Sequence, residues 1–272
     1  MVGLALFVGA ASAGLAVLLR SGVHHLSDFL SDGRQSSLGF LIPAGGALGG
    51  VFLIRVLFRE PGGHGVPAVL EAVSRRGGFL RHRSIFSRLL GSLVNVASGG
   101  SAGLEGPVAY SAAALGSSVA GGARLAERQR IILLACGVAG GIGAIFNAPL
   151  AGIIFAAEVV LAELTLATVI PVSVSAIVAT EIGRKILGAA GAFSAGSLSW
   201  GTADLGLSAV LGLCAGAVSV LFVKSIFKVE HIAAKVRSVC GAVGVVAAMA
   251  GLMVGLLGLM RGQILGEGYG LV

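Results

Sequence analysis

The sequence predicts an all-α integral membrane protein, on three observations. Of its 272 residues, 56% are hydrophobic and 11% charged, with a mean hydropathy of +0.99; a soluble domain carries about 25% charged residues. The apolar residues form long runs without strand-like alternation, and in lipid such runs satisfy their backbone hydrogen bonds only as helices. The 45 glycines sit inside those runs at helical spacing, Gly45 with Gly49, Gly46 with Gly50, Gly137 with Gly141 and Gly212 with Gly216. Such pairs let helix backbones approach closely in a bilayer.

The apolar stretches run approximately 1–30, 36–58, 84–99, 107–122, 130–146, 149–164, 166–188, 205–228 and 239–260, with a short piece at 67–74. At roughly 20 residues per crossing they accommodate roughly eight or nine membrane segments. The pieces opening at Pro67, Pro107 and Pro149 share a design: a Gly-rich or Asn-containing turn, then proline at the expected first helical position. Proline suits that place because its missing N–H needs no partner there. Helices broken at membrane depth mark ion or substrate sites in transporters.

The basic residues form three clusters: Arg75 to Arg88, Arg124 to Arg130, and Lys224 to Arg237. Each is expected in a connection between apolar segments on the cytoplasmic side. This distribution, and not the net charge of +7, excludes nucleic acid as the partner. Connections around Asp28 to Arg34 and Ser194 to Asp204 are placed outside, with Arg184 and Lys185 against the pattern. Cys136, Cys214 and Cys240 stand apart in apolar segments and read as packing residues, with no disulfide framework and no metal site. No cofactor is implied. No basic n-region follows Met1, so no signal peptide is expected. Gly99 to Gly103 matches the G-x-S-x-G hydrolase pattern, but no strand precedes it, so no enzyme is expected.

A faint repeat spans the chain. Ala13, Gly14, Val17 and Leu18 recur as Ala215, Gly216, Val220 and Leu221, and Gly63-His64-Gly65-Val66 recurs as Gly266-Glu267-Gly268-Tyr269. The connection after the first opening helix is poor in base and its counterpart rich, as in inverted-topology repeats. The expected organisation is a first membrane repeat over 1–190 and the start of a second, incomplete one over 205–272.

Three motifs in order carry chemistry: Gly63-His64-Gly65-Val66-Pro67, then Gly103-Leu104-Glu105-Gly106-Pro107, then Phe146-Asn147-Ala148-Pro149-Leu150-Ala151-Gly152 leading into Glu158. They resemble the anion-site motifs of CLC chloride channels and transporters, which read GSGIP and GREGP or GKEGP. The resemblance implies a CLC-type fold, chloride or a similar small anion as cargo, a homodimer with its interface on helices matching 149–188, and a multi-pass protein of the cell (inner) membrane. The family's later GGxFxP motif and pore tyrosine are expected beyond Val272. The physical reading agrees, because helix N-termini offer free N–H groups and about half a positive charge each, which bind an anion without trapping it.

By resemblance, Gly63, His64, Gly65, Val66, Pro67, Gly103, Gly106 and Pro107 surround the anion and Glu105 is the gate. A carboxylate at membrane depth costs about 2.5–3.5 kcal/mol and is normally kept for function; its plainer reading is a capping carboxylate at a helix N-terminus. His64 stands where the family has serine and either offers a ring N–H or lies clear of the ion. Leu104 replaces the usual basic residue, which weakens local attraction for anions. Glu158 matches the first of two acidic positions on the exchangers' proton path, and the second is Val159. The sequence therefore favours channel-like chloride passage without tight proton coupling. The alternatives are a chloride/proton antiporter and a non-conducting membrane fragment.

Overall fold

The computed structural model describes residues 1–34, 36–60, 65–161, 163, 165–188, 201–240 and 243–268. They form ten α-helices: α1 Val2–Arg34, α2 Ile42–Phe52, α3 Gly65–Arg76, α4 Ser84–Ala97, α5 Glu105–Gly122, α6 Glu127–Phe146, α7 Pro149–Val159, α8 Leu166–Leu187, α9 Thr202–Cys240 and α10 Val243–Met260. Among the described residues there is no strand. Among the described residues six helical segments are long and apolar enough to cross a membrane, and α4 and α7 are shorter apolar helices.

The centre of the molecule is α6, apolar on every side from Ile132 to Ile145 and buried along 14 of its 20 residues. A helix with no polar face must be covered all round. Here α1, α5, α7 and α8 cover it. Leu133, Leu134, Val138, Ala113, Val172 and Val8 form one core; Leu19, Leu89, Leu104, Val108 and Ile145 form a second.

Small residues set the helix spacing where the backbones cross. A methyl on Gly137 would overlap the Ala112 carbonyl, and one on Gly141 would press on Val108, which is how α5 lies against α6. Gly46 and Gly50 do the same for α2 against Ser98 and the Gly91 carbonyl of α4. The fourth expected pair behaves differently: Gly212 and Gly216 face open space, as does Gly45. Cys136 is buried as expected, whereas Cys214 is exposed on α9; Cys240's side chain lies outside the described residues.

Two expectations about local structure are corrected. The Lys224 to Arg237 cluster is not a connection between helices but part of α9, whose 39 residues reach roughly 58 Å at 1.5 Å per residue. That exceeds the bilayer core of about 30 Å, so the charged end extends beyond it. The helices at the first two motifs also begin at Gly65 and Glu105, two residues ahead of Pro67 and Pro107. First-turn N–H groups have no intrahelical acceptor, so proline is tolerated a little inside the start as well as at it. Pro149 does open α7, after Asn147 caps α6 with φ of 55°, a left-handed conformation that asparagine adopts readily.

Arg184 makes a local arrangement of its own. It pairs with Glu181 at 3.0 Å and donates to Asn147 Oδ1 at 3.0 Å, so its charge is compensated where it stands. Of the expected outer connection around Ser194 to Asp204, residues 194–200 lie outside the described residues and Asp204 falls in the first turn of α9.

Candidate anion site and outer vestibule

The helix starts of α3 and α5 meet backbone to backbone. A methyl placed on Gly65 would sit 2.7 Å from the Gly106 carbonyl oxygen and 2.9 Å from its Cα. Two helix N-termini thus share one spot, and their partial positive charges add there. No side chain of the N-cap residue Leu104 closes α5. Leu104 is itself buried at 2% exposure against Leu89 and Val108; its place is taken by core packing.

Glu105 is the first residue of α5 and half-buried. Its side chain folds back over the preceding turn, so a methyl on Gly103 would overlap its carboxylate. That direction is the normal lean of a helical side chain towards the N-terminus. The absence of a side chain at position 103 gives the carboxylate room beside its own helix start.

The structure therefore joins Gly65, Gly103, Glu105 and Gly106, with Val66, Pro67 and Pro107 on the same first turns. Gly63 and His64 lie outside the described residues. Glu158 and Val159 are not brought to this place. They end α7, where Glu158 is exposed and Val159 packs half-buried on the core. The neighbouring Glu163 lies 4.0 Å from Arg128 at the start of α6, so the end of α7 is at the basic face. α5 runs from Glu105 to that face over 18 residues, roughly 27 Å.

Three functional candidates escaped the sequence reading. Glu60 is buried and accepts hydrogen bonds from the Ser84 and Ser87 hydroxyls, with Arg88 Nε at 3.8 Å. Tyr110 of α5 donates to Ser84 Oγ at 3.3 Å, and the Arg88 guanidinium lies 5.8 Å from the centre of its ring. This ties the chain just before the first motif to α4 and α5. Arg20, inside the first apolar run, donates to the Ile145 carbonyl at 3.1 Å and so satisfies the C-terminal end of α6. Its charge within an apolar run was the signal available for it.

The third is Glu267, in the turn after α10. It lines a cavity of about 650 Å³ with Arg20, His24, Ser27 and Arg34 of α1 and the end of α8 at Ile186 and Leu187. Leu265 carries this turn against Gly99, close to the start of α5. Burial pushes the Glu267 carboxyl above its ordinary range; Arg20 opposes this, the charge of Glu105 adds to it and His24 opposes it. The cavity lies opposite the arginine-rich connections, because it touches the C-terminal end of α4 at Val96 while those connections precede Ser84.

Comparison with known proteins follows this geometry. The family described as "Voltage gated chloride channel" matches residues 45–272. A ClcB-like chloride channel protein of Ralstonia nicotianae is 35% identical over 204 residues, covering 69% of this chain and 47% of that protein. The H(+)/Cl(-) exchange transporter ClcA of Vibrio cholerae serotype O1 is 32% identical over 236 residues, 80% of this chain and 50% of that protein. The chain spans about half the length of the curated relatives it matches. Its fold is that of a slow cyanobacterial Cl-/H+ antiporter, with a TM-score of 0.86 at 22% identity over 98% of this chain and 65% of the other. A CLC-type fluoride/proton antiporter matches with a TM-score of 0.78 at 20% identity, over 97% and 66%. By the match across most of its length and the identity of its relatives, the chain belongs to the voltage-gated chloride channel (CLC) family.

Proposed function

We propose that the protein carrying this chain moves chloride or a similar small anion across the membrane, with the anion held at the joined starts of α3 and α5 and Glu105 as the gate. The observation that carries this reading is the backbone contact of Gly65 with Gly106, which superposes two helix N-termini beside a carboxylate. Ionised, Glu105 competes with the anion for the same donors; protonated, it gives them up.

Exchange of chloride for protons is the transport mode that the ClcA relatives support. A second, channel-like reading rests on Val159, which cannot carry a proton at a position where exchangers of the resembling family have an acid. The ClcA relatives carry the exchange reading further than one valine carries the other. The protein also acts, in this proposal, as a homodimer in the bacterial inner membrane. Exposed Leu150, Ile154, Ile170 and Ile177 on α7 and α8 support a contact there. The two long helices α1 and α9 support an inverted repeat over 1–190 and 205–272.

Chloride efflux from proteoliposomes of the full-length protein, followed against external pH, tests the gate. Glu105→Gln should conduct more at neutral pH and lose most of its activation by acid. Unchanged flux and pH dependence, with only thermal stability lowered, would assign Glu105 to capping instead. Proton uptake driven by a chloride gradient separates the transport modes, since a fixed ratio supports exchange and none supports the channel-like reading.

A further inference from the structure

At the opposite face from the cavity that Glu267 lines, a second cavity of about 400 Å³ opens between the end of the α2 segment and the connection that precedes α4. Arg59 enters it from one side and Arg81, His82 and Arg83 from the other, with Phe58 and Phe79 beside them. The sequence accounts for basic residues at this face, since cytoplasmic connections attract them. It does not account for their convergence from two separate stretches of chain on one cavity.

Among the described residues, Arg59, Arg81 and Arg83 make no ion pair. The cavity's one carboxylate, Glu60, is turned onto Ser84, Ser87 and Arg88. His82 is held in place by Nδ1 against Ser118 Oγ at 2.8 Å. Arg59 adopts φ of 51°, a left-handed conformation that is unfavourable for a side-chain-bearing residue relative to the right-handed one. It follows a π-helical turn at Leu53–Leu57, closed by the Phe58 N–H on the Leu53 carbonyl at 2.9 Å and the Glu60 N–H on the Ile54 carbonyl at 3.0 Å. Glycine would relieve that conformation; arginine stands there.

We propose that this cavity binds the phosphate of an anionic phospholipid headgroup from the basic-face leaflet. Planar guanidinium groups match phosphate oxygens in pairs, and basic pockets between membrane helices on the cytoplasmic side suit such headgroups. A lipid is favoured over soluble phosphate by the position of the cavity where spanning helices end, and by Phe79, 53% exposed at its edge, which meets the interfacial part of a lipid. The site lies away from Glu105 and holds whether transport is coupled or channel-like.

The test compares the full-length protein in phosphatidylcholine, in phosphatidylcholine with phosphatidylglycerol, and in phosphatidylcholine with inorganic phosphate. Phosphatidylglycerol should raise the unfolding temperature by about 2–4 °C, and inorganic phosphate should not. Arg59→Gln with Arg81→Gln and Arg83→Gln should abolish that rise, while Arg75→Gln with Arg124→Gln, at the same face but outside the cavity, should keep it. Native mass spectrometry gives a second measurement: wild type should retain phosphatidylglycerol under conditions where Arg81→Gln alone loses it. Equal loss of the rise in both variant sets, an equal rise with inorganic phosphate, or full lipid retention by Arg81→Gln would overturn the proposal.

Discussion

Replacing Gly65 by alanine tests the joined helix starts directly, and the structure supplies its own control. The new methyl would meet the Gly106 carbonyl oxygen at 2.7 Å and its carbon at 2.8 Å, so α3 must retreat from α5 by roughly half an ångström to restore ordinary contact. A helix start carries about half a charge, which attracts an anion about 4 Å away by about 2 kcal/mol at an effective dielectric of about 20. Half an ångström of retreat removes about 0.2 kcal/mol of that, less than a twofold loss of affinity. Overpacking costs more, about 1–3 kcal/mol. Gly65→Ala should therefore lower thermal stability clearly and weaken chloride binding slightly. Gly106→Ala should leave thermal stability unchanged, because a methyl there meets no protein atom within 4 Å. Thermal unfolding in detergent and calorimetric chloride titration of both variants provide the comparison. Equal stability losses at the two positions would refute the claimed contact.

Other expectations follow from particular contacts. Glu60→Gln keeps the shape of the buried carboxylate but removes its charge and leaves one acceptor oxygen for the two donating hydroxyls of Ser84 and Ser87, setting an N–H donor against the other; unfolding measurements should show a loss of about 1–3 kcal/mol. Gly137→Ala places a methyl on the Ala112 carbonyl and should destabilise by a similar amount, whereas Gly216→Ala, facing open space, should stay within about 0.5 kcal/mol of wild type. Glu267 has a raised carboxyl pKa, so the folded state binds its proton more tightly than the unfolded state does. The stability this contributes is fully present below the ordinary carboxylate pKa and is lost as pH rises through the raised one. Glu267→Gln should accordingly match wild type in acid and exceed it at neutral pH, and a gap that stays constant from acid to neutral in unfolding curves would contradict the assignment.

Membrane class, helical content and the three motif turns were legible in the amino-acid sequence because each rests on local chemistry. Runs of apolar residues must be helices in lipid whatever surrounds them, and a Gly-rich turn before proline announces a helix start within a residue or two. Glu105 was legible for the same reason: an acid between glycines at membrane depth is costly enough to stand out. What only the tertiary structure decided was which of those elements meet. Gly65 and Gly106 lie about 40 residues apart in the chain and touch, while the equally spaced Gly137 and Gly216 differ wholly in what they face. No sequence motif singles out Glu60, and its burial comes from Ser84, Ser87 and Arg88 closing around it. Glu267 passed as part of a repeated turn until Leu265 carried it against Gly99 and the cavity beside Arg20 buried it. Periodicity reports how a residue sits on its own helix. The field and the space around a charge come from groups distant in sequence, and packing alone brings those together.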